Sequence, residues 1–113
     1  MTDLARQPCV ACGKTASRVT EGEKHRLHEK LPGWQILEAK GHEKLYKEFD
    51  FKNFAQALSF INRVGALAEE ENHHPDIQLG WGKATVSWWT HSIGGLHQND
   101  FIMAARTDEA FDG

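Results

Sequence analysis

From Phe54 to Ala68 the apolar residues Phe54, Ala57, Leu58, Ile61, Val64, Leu67 and Ala68 recur at intervals of three and four. That spacing lines side chains along one side of an α-helix. No other feature of the chain constrains the fold as strongly, because a helix with one apolar stripe must bury it against a second layer. Asn53 or Asp50 can cap the start. Asn72 and Pro75 mark the end, since the residue before a proline is pushed out of the helical region. The spacing predicts a helix over 53–71.

On both sides of this helix the apolar period changes from about 3.6 to two. Trp34 and Ile36 share one face of a segment over 34–39. Leu45, Lys47 and Phe49 share a face over 43–51, and Lys40-Gly41-His42 lies between as a turn. After the helix, Ile77, Leu79 and Trp81 alternate, then Thr85, Ser87 and Trp89 alternate against Val86, Trp88 and Thr90, with a turn at 82–83. The β-branched and aromatic content supports strands over 77–82 and 84–91. Thr20-Glu21-Gly22-Glu23 has the form of a capping box and starts a short helix over 21–30, ended by Pro32-Gly33. Phe101, Ala104, Ala105 and Asp108 predict a last helix over 97–110. The order is α-β-β-α-β-β-α. Two hairpins joined edge to edge make a four-stranded antiparallel sheet with helices packed on one face, a two-layer α+β architecture. Residues 1–18 show no apolar period and read as an irregular leader, with one domain over 19–113.

Charge and length exclude several classes. Thirteen Lys plus Arg against sixteen Asp plus Glu give a net charge of −3 over 113 residues, which offers no electrostatic footprint for nucleic acid. The longest apolar runs fall far short of the ~20 residues a membrane span needs. The first residues lack the apolar core of a secretory signal, so a cytoplasmic location is expected. Cys9 and Cys12 have redox-motif spacing, but no βαβ context follows. Two sulfurs alone would hold zinc only with further ligands from elsewhere, such as a second chain.

The chemistry concentrates in Glu69-Glu70-Glu71-Asn72-His73-His74-Pro75 and in Trp81, His91 and Asp100. His73 and His74 fall at the end of the long helix and His91 at the end of the last strand. Pairing of strands 77–82 and 84–91 makes these three imidazoles neighbours at one end of the sheet, with Trp81 as a flat wall. Adjacent histidines point apart and chelate poorly, and no HExxH helix is present, so no metal site is expected. Two readings remain: the histidines cap a helix and line a polar loop, or they do general acid–base work, for which imidazole is the side chain that titrates near neutral pH. Glu69 lies one turn before His73 and could orient an imidazole. Asp100 has two roles open to it, capping the last helix through backbone N–H groups or joining the histidines. Trp34 and Trp81 are either sheet-face aromatics or contacts to a flat substrate. One of Trp88 and Trp89 faces the helices and the other faces out, where it suits a subunit interface. His25, His28, His42 and His97 read as solvated.

The run Glu69-x3-His73-His74-Pro75-x5-Trp81-x9-His91-x8-Asp100 resembles the signature of the pterin-4a-carbinolamine dehydratases. Gly33-Trp34, Phe49-x-Phe51-Lys52-Asn53-Phe54 and Gly95-Leu96 agree with it, and the likeness covers about 20–111. The stretch from Trp88 to Ile93, that from Asn99 to Glu109 and the Cys9-Val10-Ala11-Cys12 leader are similar to bacterial members. The resemblance implies a four-stranded antiparallel sheet with helices on one face. It also implies dehydration of 4a-hydroxytetrahydrobiopterin to quinonoid dihydrobiopterin, which recycles the pterin of aromatic amino-acid hydroxylases.

In such a protein the pterin is the substrate, and no metal or organic cofactor is used. The family's active-site histidines carry over onto His73, His74 and His91, and its acidic positions more loosely onto Glu69 and Asp100. Trp34 and Trp81 are candidate substrate contacts. A homo-oligomer, dimer or tetramer, and a functional link to a hydroxylase are implied. Some relatives also stabilise a transcription-factor dimer, so a non-catalytic protein-binding module on the same fold is the alternative.

Overall fold

The computed structural model describes residues 3–7 and 18–112. Its elements are α1 (Glu21–Glu29), β1 (Gln35–Ala39), β2 (His42–Asp50), α2 (Phe54–Glu71), β3 (Asp76–Leu79), β4 (Lys83–Trp88) and α3 (Gln98–Asp112), with 3-10 turns at Asp3–Arg6 and His91–Ile93. The four strands form one antiparallel sheet in the order β1-β2-β4-β3. Each sequence hairpin pairs within itself, and β2 zips to β4 across the middle.

One side of the sheet carries the core. Ile36, Leu45, Phe49, Ala84, Val86 and Trp88 face the helices, and the buried stripe of α2, Ala57, Phe60, Val64 and Ala68, packs there. Phe49, Phe51, Phe60 and Phe111 form a cluster of tilted and edge-on rings. Most of α3 is buried, with Phe101 to Ala105 all inside. That is why its sequence shows only a weak one-sided period.

Both predicted caps form. The Thr20 hydroxyl accepts from the Glu23 amide while the Glu23 carboxylate accepts from the Thr20 amide. Asn53 caps α2 by accepting from the Gln56 amide. Three boundaries differ from expectation. β4 ends at Trp88 rather than at 91, so His91 lies beyond the strand, in the 3-10 turn. The second hairpin turns at 80–82 rather than 82–83, closed by the Gly80 amide donating to the Lys83 carbonyl at 2.8 Å, so Trp81 leaves the strand for the hairpin tip. The expected irregular leader contains a 3-10 turn whose Leu4 and Ala5 join the core. One turn carries too few apolar residues to register as a period.

That turn is clamped by Arg106 of α3, whose guanidinium donates to the carbonyls of Ala5 (3.2 Å) and Gln7 (2.7 Å). The same guanidinium pairs with Glu71 at 2.9 Å. Cys9 and Cys12 lie outside the described residues.

Candidate active site

α2 ends in a left-handed turn at Asn72 (φ 50°), a conformation Asn adopts more readily than most residues. The His73 amide then reaches back to the Ala68 carbonyl at 3.1 Å, the long bond of a Schellman motif. This fixes where His73 leaves the helix. Its ring lies nearly parallel to the Trp88 indole (7°, centroids 5.7 Å apart). The indole is itself locked by donation of its Nε1 to Thr107 Oγ1 at 3.0 Å.

His73 Nε2 meets Asp100 Oδ1 at 2.7 Å. Asp100 is fully buried. Its second oxygen accepts from the Thr90 hydroxyl at 2.8 Å and from the His97 amide at 2.9 Å. An ionised carboxylate only accepts hydrogen bonds, so Nε2 is the nitrogen of His73 that donates to it, and Nδ1 takes no part in this pair. Both positions open to Asp100 are therefore occupied at once: it caps α3 through the His97 amide, and it holds an imidazole.

His97 was expected to be solvated, yet it is buried. It completes the cap, with Nδ1 accepting from the Asn99 amide at 3.0 Å. Histidine is not among the usual N-cap residues, which hid this role from sequence reading.

The pairing Asp76↔Ser87 sets the 73–75 loop level with residues 88–90, and Thr90 and His73 meet on the same carboxylate. His91 follows Thr90 directly and opens the 3-10 turn 91–93. That turn closes through Gly94 (φ 59°) and a bridge between Thr90 and Gly95. Arg18 donates from Nε to the Ile93 carbonyl at 2.8 Å and covers Gly95. The His91 ring is exposed and stacks on Trp89. His74, also exposed, pairs with Glu69 across the helix end; an ion pair so open to water holds its partners weakly.

The structure thus joins His73, Asp100 and Thr90 directly, sets His91 next to them in the chain, and leaves His74 with Glu69 at the rim. Thr90 was missed by sequence reading, because a strand threonine gives no signal until its carboxylate partner is known.

The two tryptophan candidates are corrected. Trp81 occupies the tip of the β3–β4 hairpin, 71% exposed. The histidines lie at the other end of that hairpin, so Trp81 is no wall to them. Trp34 is buried, its ring edge-on to Phe49 and its Nε1 donating to Asp108 at 3.1 Å. Asp108 is eight residues beyond Asp100 on α3, about 12 Å along a helix rising 1.5 Å per residue. Lys47 completes that group, 2.7 Å from Asp108 and over both rings. Trp34 is thereby a core residue held away from the histidines.

Among the described residues no group of three or more His, Cys, Asp and Glu side chains is arranged to hold a metal ion. No helix among them is long and apolar enough to cross a membrane.

The fold and this corner define a class: a two-layer α+β domain that sets a buried carboxylate–imidazole pair and two further histidines at one end of its sheet. Within that class the chain belongs to the family described as pterin 4 alpha carbinolamine dehydratase, whose sequence profile matches residues 17–110. A protein of Marinobacter nauticus named "Putative pterin-4-alpha-carbinolamine dehydratase" is 58% identical over 111 residues, 98% of this chain and 100% of its own. A protein of Chlorobium limicola with the same name is 49% identical over 113 residues, the full length of both.

Among solved structures, a transcriptional coactivator/pterin dehydratase from Brucella melitensis superposes with a TM-score of 0.75 at 31% identity, covering 83% of this chain and 98% of that one. A pterin dehydratase-like protein identified as a RuBisCO assembly factor in the alpha-carboxysome gives 0.59 at 26% identity, covering 70% of this chain and 89% of its own.

Proposed function

We propose that this protein dehydrates 4a-hydroxytetrahydrobiopterin to quinonoid dihydrobiopterin and water, and so serves an aromatic amino-acid hydroxylase. The observation that carries the reading is the buried Asp100–His73 pair, bonded also to Thr90, the residue before His91. Dehydration breaks the C4a–O bond. The oxygen leaves as water after receiving a proton, N5 loses its proton, and the N5=C4a double bond forms. Each proton needs a positioned carrier, and each such transfer is typically worth about 10²–10⁴-fold.

His73 and His91 are the acid–base pair in this reading, and His74 positions the pterin or its leaving oxygen. Asp100 fixes the ring and tautomer of His73, and Glu69 pairs with His74 at the rim. The side chains do this without a metal or organic cofactor, the pterin being the substrate. Exposed Phe54 and Leu58 on α2 support self-association into a homo-oligomer, which native mass measurement tests.

The direct test follows the decay of enzymatically generated 4a-hydroxytetrahydropterin by ultraviolet absorbance. Acceleration by the native protein, unaffected by chelator and lost in His73→Ala/His91→Ala, is the expected result. No acceleration over buffer refutes it.

A second reading, a protein-binding module, is favoured by the descriptions of the two structural relatives as a coactivator and an assembly factor. Binding of a protein partner that survives the double histidine change, in a chain without dehydratase activity, would select it.

A further inference from the structure

Trp89 is the first residue after β4, next to Trp88 but on the opposite side of the sheet. Its indole has two neighbours of the same kind. The His42 ring lies 3.8 Å away at 14°, and the His91 ring 3.8 Å away at 29°. Two nearly parallel rings, each centred 3.8 Å from one indole, cannot share a face without occupying the same volume, so the indole is sandwiched between them. Its edge is tied as well, with Nε1 donating to Asp76 Oδ2 at 3.3 Å. Three separate pieces of chain therefore meet on this side chain: the start of β2, the start of β3 and the turn at 91–93.

We infer that Trp89 is the positioning residue for His91, clamped by His42 and Asp76 so that an otherwise exposed imidazole keeps one plane and one place in the turn that follows Thr90. The inference rests on the reading of His91 as a proton carrier. His91 has no buried carboxylate like the one that holds His73, and the ring is exposed. An exposed imidazole with two free torsions samples several rotamers. A flat aromatic face at stacking distance restricts that sampling, and an indole gives the largest such face. His42, which the sequence offered only as a solvated turn residue, is the far side of the same clamp. The arrangement explains why Trp89 sits where an exposed aromatic would otherwise be a liability.

The test compares native protein with Trp89→Leu and Trp89→Phe in two measurements. The first is proton NMR of the His91 ring, assigned by its loss in His91→Ala. A ring stacked on indole shows carbon-bound protons displaced upfield; the displacement should vanish in Trp89→Leu and persist in Trp89→Phe. The second is steady-state dehydration. Trp89→Leu should lower kcat by up to about 100-fold, the loss typical of a ~1 Å misplacement of a reacting group, with KM unchanged, and Trp89→Phe should restore most of it. Should Trp89→Leu fail to fold, His42→Ala opens one side of the clamp at the surface and should lower kcat in the same sense while weakening the displacement.

Native-like His91 resonances in both Trp89→Leu and His42→Ala overturn the clamp, whatever the activity. A kcat that stays native when the displacement is lost overturns the positioning role. A native protein that shows the displacement and no dehydratase activity supports the clamp and instead removes the reading of His91 as a proton carrier.

Discussion

Replacing Asp100 by Asn keeps the volume of the side chain and exchanges one oxygen for an NH2 group. Three donors converge on Asp100: His73 Nε2 at 2.7 Å, the Thr90 hydroxyl at 2.8 Å and the His97 amide at 2.9 Å. The Asn oxygen can keep Thr90 and His97. Its NH2 then faces His73, and two donors cannot share a hydrogen, so His73 must move its proton to Nδ1 and accept at Nε2. The fold survives this, because no buried donor is left alone. The cost is that of exchanging a charge-assisted bond for a neutral one, about 1–2 kcal/mol.

Activity should suffer far more, since Nδ1 of His73, the nitrogen outside that pair, now holds a proton where it had a lone pair. The expected loss in kcat is about 10²–10⁴-fold, the worth of one positioned proton transfer. Asp100→Ala reverses the proportions. It strands three donors in a buried pocket at about 1–3 kcal/mol each and should threaten folding itself. Urea unfolding paired with the ultraviolet dehydration assay separates the two effects. An Asn variant with native kcat would refute the role given to the Asp100–His73 pair.

Trp34→Phe should cost about 0.5–1.5 kcal/mol through the lost Asp108 bond and leave dehydration unchanged; a raised KM in the kinetic assay would return Trp34 to the substrate. Arg106→Ala should speed limited proteolysis near residues 3–7 and lower stability by about 1.5–3 kcal/mol, as charged-group hydrogen bonds to Ala5, Gln7 and Glu71 are lost. Gly94→Ala should cost about 1 kcal/mol in thermal unfolding, because a side chain disfavours its left-handed backbone. The Thr20 amide holds the Glu23 carboxyl below its ordinary 4.5. A folded-state value lowered in this way gives stability that is present above 4.5 and lost as pH falls through the lowered value. The gap in urea midpoint between native protein and Glu23→Gln should therefore be present at neutral pH and close in acid.

The elements with strong local signals were legible in the sequence. The α2 helix, the capping box at Thr20 and the two hairpins all appear, but the face that α2 buries is turned from the expected stripe: Phe60 is fully buried, while Phe54 and Leu58 are exposed. Trp81 shows the limit. Alternation with Leu79 carried the expected strand three residues past the end of β3, and only the Gly80–Lys83 closure reveals that the chain had already turned. At the site, the spacing of His73, His74 and His91 carried the location. The dual use of Asp100, the cap formed by His97 and the clamp on Trp89 depend on contacts between residues far apart in sequence, which no periodicity encodes. Trp34 was ambiguous because a buried tryptophan and a substrate-facing one look alike until its Asp108 partner is seen.

The Arg106 clamp orders the events of assembly. Its guanidinium ties together Ala5, Gln7 and Glu71, residues separated from it by 101, 99 and 35 positions. The 3-10 turn cannot meet this clamp until α3, far along the chain, has been made. The end of α2, with the histidines just beyond it, waits for the same closure. Contacts of such long sequence separation are paid for late in folding, after local helices and hairpins are in place. The corner that gathers His73 and Asp100 is therefore complete only once α3 has docked, and a chain cut short before α3 should lack the site.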